Sequence, residues 1–153
     1  MDALTFRPAT TKDLPTLHQF EQGVIKAERP FNPTLKAGKV HYYDLETLLN
    51  NPYAIIIVGE LDGVIITSGY VKILTAKPQF KFEQYAYMGF MYVLPEYRGK
   101  GVNKRLLNEL IAWAKTRGIQ EVRLDVYEEN MPAVRAYEKR GFKKLLVEMR
   151  LEI

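Results

Sequence analysis

The chain has 153 residues, 47% hydrophobic and 26% charged, with 22 cationic against 18 anionic side chains and a net charge of +4. That length suits one domain spanning 1–153, and the composition is that of an ordinary globular chain. With no cysteine and only His18 and His41, the sequence excludes disulfides, thiolate metal sites and a cysteine nucleophile, and no metal site is expected.

Leu4 and Phe6 alternate with polar neighbours, which predicts a short strand over residues 3–8. Thr10 or Thr11 then caps a helix that carries Leu14, Leu17, Phe20 and Val24 at helical spacing, with Pro15 tolerated near its start. Residues 29–43 hold two prolines, a glycine and three aromatics and read as a partly ordered loop, followed by a short helix over Asp44 to Leu49. The apolar run 54–60 and the segment 64–75 form a hairpin about Asp62-Gly63, a dipeptide that supplies positive φ. A third strand covers roughly 84–94, so three strands make an antiparallel meander.

The period then changes. Val102, Leu106, Leu110 and Trp113 recur as the stripe of a helix lying on a sheet, ended by Gly118. A strand over 121–127, a helix over 131–140 ended by Gly141, and a last strand over 142–151 complete the reading. The order βα(α)βββαβαβ implies an α/β fold with one mixed sheet. No apolar run approaches the roughly 20 residues needed to span a bilayer. The opening MDALTFRPATTKDL lacks the layout of a secretory signal, so a cytoplasmic protein without membrane association is expected.

Chemistry concentrates in YVLPEYRGKGVNKRLL, residues 92–107. A strand ends, Gly99 and Gly101 follow closely, and a helix begins. The first turn of a helix leaves backbone N–H groups unpaired and carries partial positive charge. Glycines let that backbone approach phosphate, and Arg98, Lys100, Lys104 and Arg105 add attraction. A bare tight turn would use the same glycines. Neither the P-loop nor the dinucleotide G-x-G-x-x-G pattern is present, since residue 104 is lysine.

PEYRGKGVNKRLL resembles the acetyl-CoA pyrophosphate motif of the GNAT acetyltransferase superfamily, [RQ]-x-x-G-x-[GA]. Arg98 and Gly101 fill its first two fixed places, and Asn103 stands where glycine or alanine is usual. NMPAVRAYEKRGF, residues 130–142, is similar to that family's N-x-x-[AS]-x-x-x-Y-x-x-x-G-F segment through Asn130, Ala133, Tyr137, Gly141 and Phe142. The resemblance implies a single-domain acyltransferase fold that uses acetyl-CoA as co-substrate. It implies that Met91, Tyr92 and Val93 offer backbone groups to the pantetheine arm, and that Arg98, Gly99, Lys100, Gly101, Val102 and Asn103 cradle the pyrophosphate. Asn130 would bond the cofactor arm and Tyr137 would face the thioester sulfur. As plain residues, Asn130 equally suits a helix N-cap and Tyr137 a core aromatic.

The expected reaction is direct transfer of the acetyl group to a primary amine, with backbone N–H groups near Val93 stabilising the oxyanion and Tyr137 protonating the departing sulfur. The carboxylate that many relatives carry on the central strand is absent, since Gly89 and Phe90 occupy the corresponding places. Asp125 is the candidate base; a structural role for it is equally open. Tyr42, Tyr43, Tyr85 and Tyr87 offer an aromatic wall for a cationic amine, and Glu21, Glu28, Asp44 and Glu46 offer negative charge near it. The acceptor, a small molecule or a peptide, is not defined by these residues. A non-catalytic CoA-binding sensor is the alternative. Nucleic-acid binding, raised by the basic clusters at 98–105 and 139–144, is not expected because acidic residues offset the cations. A homodimer is open, through the last strand or its neighbouring face as in similar proteins.

Overall fold

The computed structural model describes residues 2–153. Strand β1 (Thr5–Pro8) leads through a turn of 3₁₀ helix (Thr11–Asp13) into α1 (Leu14–Glu28). A second 3₁₀ turn (Arg29–Phe31) and an irregular stretch precede α2 (Leu45–Asn50). The meander follows as β2 (Ala54–Leu61), β3 (Val64–Thr75) and β4 (Gln84–Val93). Then come α3 (Val102–Thr116), β5 (Val122–Arg123) and α4 (Met131–Arg140). The sheet order is β1-β2-β3-β4-β5, antiparallel throughout except for the parallel β4–β5 pair.

Local signals place these bounds. Asp62 and Gly63 both adopt positive φ (52° and 76°), the backbone a two-residue hairpin requires. Gly118 and Gly141 sit in the left-handed region just past α3 and α4, where a β-carbon would be penalised. At the start of the chain, Asp13 is buried and accepts from both terminal nitrogens of Arg7, at 2.7 and 2.9 Å. The Arg7 hydrogen bonds hold its carboxyl below the usual range.

Each face of the sheet carries its own core. On one, Ile57, Val71, Ala86 and Met88 pack under Leu106, Leu107 and Leu110 of α3. On the other, Ile56, Val58, Tyr70 and Phe90 pack under Leu17, Phe20 and Val24 of α1 and Leu45 of α2. Strict alternation from Ala86 and Met88 would send Phe90 to the α3 face. It lies instead on the α1 face, because β4 bulges there. Tyr70 pairs with Gly89 but Ser68 with Tyr92, and Phe90 has φ +58°. A bulge with one residue in the left-handed region bends its strand and re-aims the side chains beyond it.

Two expectations are corrected. The strand over 121–127 pairs only at Val122 and Arg123, because β4 turns away from β5 beyond Tyr87. The last strand over 142–151 is not formed: residues 143–153 have no assigned strand and are exposed throughout.

Candidate active site

The bulge and the parting of β4 from β5 create the site. β4 and β5 are paired only through Ala86–Val122 and Tyr87–Arg123. From Met88 to Val93 the β5-facing backbone of β4 therefore has no strand partner, which leaves a cleft between two diverging strands. Met91, Tyr92 and Val93 belong to this unpaired stretch of β4. Two of their carbonyls are engaged: the Thr67 hydroxyl donates to the Tyr92 carbonyl at 2.7 Å and Arg98 Nε donates to that of Val93 at 2.9 Å.

The chain then turns through Pro95–Tyr97 into the glycine segment. Gly99 and Gly101 have φ +73° and +79°, and Gly101 is the residue that opens α3. A β-carbon built on either meets nothing within 4 Å, so both glycines face open space. The need for glycine here is thus backbone conformation plus room for a neighbour outside the chain, not crowding within it. The first turn of α3 follows directly, at Val102 and Asn103, and its N–H groups lack partners within the helix. Arg98 is exposed and stacks 5.4 Å from the Tyr92 ring, and Lys100 lies 5.8 Å from that of Tyr97. Arg105 serves the fold instead, donating to the Leu4 carbonyl at 2.7 Å. These features fit a bound pyrophosphate: conformationally obligatory glycines, free N–H donors and two flanking cations.

Across the cleft, Asn130 occupies the N-cap position of α4 but makes no side-chain capping bond. Its amide is therefore not spent on the helix. Tyr137 lies about two turns on, packed edge-on to Phe142 with ring centroids 6.0 Å apart. Burial, and then the charge of Glu28, push its hydroxyl up to about 12. Asp125 is exposed, and Tyr87 donates to its Oδ2 at 2.9 Å.

The tyrosines form one contiguous wall. Tyr43 packs against Tyr42, Tyr70 and Phe90, with centroids 5.7, 5.7 and 4.9 Å apart, and Tyr70 lies 6.5 Å from Tyr87. The ammonium of Lys72 already sits 5.6 and 5.7 Å from the rings of Tyr70 and Tyr87. Tyr85 does not join them; it groups with Phe82 and Arg123. Tyr70, unremarked in sequence, fills the space over Gly89: a β-carbon there would lie 2.5 Å from its hydroxyl oxygen. That contact explains why the place of the missing carboxylate is a glycine.

The acidic candidates separate by environment. Glu21 is fully buried, and burial alone would raise its pKa. Hydrogen bonds from His41 (2.9 Å) and from the Tyr43 and Tyr42 amides (2.8 and 3.0 Å) outweigh that and hold it below its usual range. Asp44 caps α2 through the Thr47 amide at 3.1 Å. Glu28, half-buried at the end of α1, is pushed up by desolvation, and its charge acts on Tyr42, Tyr43, Tyr87 and Tyr137. The buried Tyr42 hydroxyl has no well-aligned hydrogen-bond partner among the described residues. Two shallow hollows, of about 370 and 510 Å³, lie elsewhere; neither is lined by the glycine segment, Asn130 or Tyr137.

Comparison with known proteins bears on the family and the fold. The uncharacterized N-acetyltransferase YobR of Bacillus subtilis is 38% identical over 58 residues, 38% of this chain and 24% of that protein. An uncharacterized N-acetyltransferase of Mycobacterium bovis is 30% identical over 95 residues, covering 62% of this chain and 56% of the relative. The chain thus spans between about a quarter and about half the length of these relatives. Among solved structures, a predicted acetyltransferase with acetyl-CoA from Clostridium acetobutylicum superposes with a TM-score of 0.75 at 22% identity, over 97% of this chain and 96% of that one. An aminoglycoside N-acetyltransferase in complex with CoA gives 0.74 at 17% identity, over 97% and 100%. A mutant of a Bacillus halodurans protein gives 0.88 at 17% identity, over 97% and 99%. The sequence model of the acetyltransferase (GNAT) family matches residues 22–142, most of the chain, and the protein belongs to that family.

Proposed function

We propose that this chain transfers the acetyl group of acetyl-CoA to a primary amine carried by a cationic acceptor. The observation that carries the reading is the pair of left-handed glycines, Gly99 and Gly101, opening α3 at the mouth of the β4–β5 cleft. Arg98, Lys100 and the N–H groups of Gly99 to Asn103 would hold the pyrophosphate, and the unpaired edge of β4 at Met91 to Val93, with Asn130, the pantetheine arm. Bound acetyl-CoA supplies a thioester whose carbonyl accepts an amine and whose sulfur departs as a thiolate.

The chain's own groups do the rest. The tyrosine wall attracts a cation through ring quadrupoles, and Glu28 and Asp125 add charge beside it. Tyr87 donates to Asp125 Oδ2 at 2.9 Å, and the charge of Glu28 also bears on its hydroxyl. Asp125 takes the amine proton at the mouth of the cleft, and Glu28, whose burial raises its pKa, is the second acceptor. Tyr137 presents its hydroxyl to the departing sulfur. With that hydroxyl near 12 and a thiol near about 8.5, complete transfer is uphill by about 5 kcal/mol. Tyr137 therefore acts by donating a hydrogen bond to developing negative charge rather than by giving up its proton outright.

The test is release of free CoA thiol from acetyl-CoA over a panel of polyamines, aminoglycosides, amino acids and peptides. Acetyl transfer is expected with multiply charged amines in preference to neutral ones. Acetyl-CoA binding with no thiol release from any amine would establish the sensor reading, which the missing carboxylate at Gly89 and Phe90 favours.

A further inference from the structure

Lys72 follows Tyr70 by two residues in β3, so both side chains stand on the same face of the sheet. It pairs in register with Tyr87 of β4. Its ammonium lies 5.6 Å from the Tyr70 ring and 5.7 Å from that of Tyr87, the two rings at the centre of the acceptor wall. The residue is half-buried, and no carboxylate among the described residues lies within ion-pair distance of it. Ring faces replace only part of the hydration such an ammonium loses. An anion would complete its surroundings, and no described residue supplies one.

The wall is therefore charged at two separate places. Tyr87 carries a cation beside its ring and, at its hydroxyl, donates to Asp125 Oδ2 at 2.9 Å. The two charges do not meet as an ion pair. A wall bearing carboxylates alone would suit any polyamine. One with a fixed cation set apart from its carboxylates selects an acceptor carrying both signs.

We propose that Lys72 binds a carboxylate of the acceptor, and that the substrate is a basic amino acid acetylated on its side-chain amine. This rests on the acetyl-transfer reading above and narrows its acceptor. The carboxylate sits on the Lys72 ammonium, the aliphatic stem crosses the Tyr87 ring, and the far amine reaches Asp125, which takes its proton. The neutral amine then forms the new C–N bond at the thioester carbonyl, the C–S bond breaks, and CoA leaves as its thiolate. A diamine without the carboxylate brings a second ammonium against Lys72 and is disfavoured.

L-Lysine and cadaverine differ only in the carboxylate, so their kcat/KM ratio, read by release of CoA thiol, is the test. The native chain should favour lysine by about 10-fold or more, the range of a charge-assisted hydrogen bond. Lys72→Arg keeps the charge and should keep the preference. Lys72→Met should bring the ratio near unity, and Lys72→Glu should reverse it. A lysine that only packs on the two rings would change both substrates alike and leave the ratio in place. The shift in melting temperature with acetyl-CoA checks that each variant is folded; if Lys72→Glu is not, the ratio in Lys72→Met decides. A native chain without the preference overturns the proposal, as does a preference that survives Lys72→Met. Thiol release from other amines with no preference for lysine overturns this inference alone. No release from any amine overturns the acetyl-transfer reading and the inference with it.

Discussion

Tyr137 tests whether the chemistry was assigned to the right hydroxyl. Phenylalanine keeps the ring against Phe142, so folding and acetyl-CoA affinity should change little, while turnover falls by about 100-fold. Loss in kcat with binding intact marks a group that acts in the transition state; full activity would return Tyr137 to the core. The two carboxylates separate by pH. A base must be ionised, so the acidic limb of the rate profile follows its pKa, and burial places that of Glu28 above its ordinary 4.5. Glu28→Gln should remove a limb displaced upward, and Asp125→Asn should slow the reaction by about 100-fold at neutral pH if it takes the proton. The sign for stability is opposite. A carboxylate whose folded pKa is raised makes the fold less stable as pH climbs through that window, so Glu28→Gln should not destabilise the protein at neutral pH. A marked drop in melting temperature would show that Glu28 holds structure instead.

Among elements, the helices and the hairpin were legible because local chemistry fixes them: glycines end α3 and α4 and Asp62-Gly63 turns β2 into β3. The glycine segment was legible for the same reason, since Gly99 and Gly101 hold left-handed backbone. The bulge at Phe90 was not. Gly89 stands beside it as an isolated strand glycine, but the left-handed residue is the phenylalanine that follows, at a cost of about 1–3 kcal/mol that burial of its ring among Tyr43 and Tyr70 offsets. Strand β5 was overread because the sequence shows its apolar alternation but not the departure of its neighbour. Glu21 carried an available signal: it interrupts the stripe Leu17, Phe20, Val24 on the buried face of α1, where a charge needs partners. Its partners are the Tyr42 and Tyr43 amides, so Glu21 pins the segment that carries the tyrosine wall. Because its folded pKa is depressed, its contribution is complete above its ordinary value of 4.5 and fades as pH falls through the lower folded value. Glu21→Ala should cost about 3 kcal/mol by denaturant melts at neutral pH and much less in acid. An equal cost at both would show that packing, not charge, is lost.

At the scale of the whole molecule, the fold is a sheet covered on both faces that opens only where β4 and β5 part, and the cofactor should close that opening. A ligand bound by the folded chain and not by the unfolded one stabilises it by mass action, about 2.7 kcal/mol at a hundredfold excess over its dissociation constant. For a chain of this size that corresponds to a rise in melting temperature of about 5 to 10 °C. CoA should give most of the same shift, because the contacts assigned to Arg98, Gly99, Gly101 and the start of α3 are made to the pyrophosphate. Gly101→Asp separates binding from folding. A β-carbon there meets nothing, so the folded chain bears only the strain of a left-handed residue, about 1–2 kcal/mol, partly offset by a carboxylate at a helix N-terminus. The same carboxylate stands where phosphate oxygens would lie and repels them. The variant should therefore melt within a few degrees of the native protein and show no shift with acetyl-CoA or CoA. An undiminished shift would move the phosphate site away from α3, and absence of any shift in the native chain would remove the cofactor from this cleft.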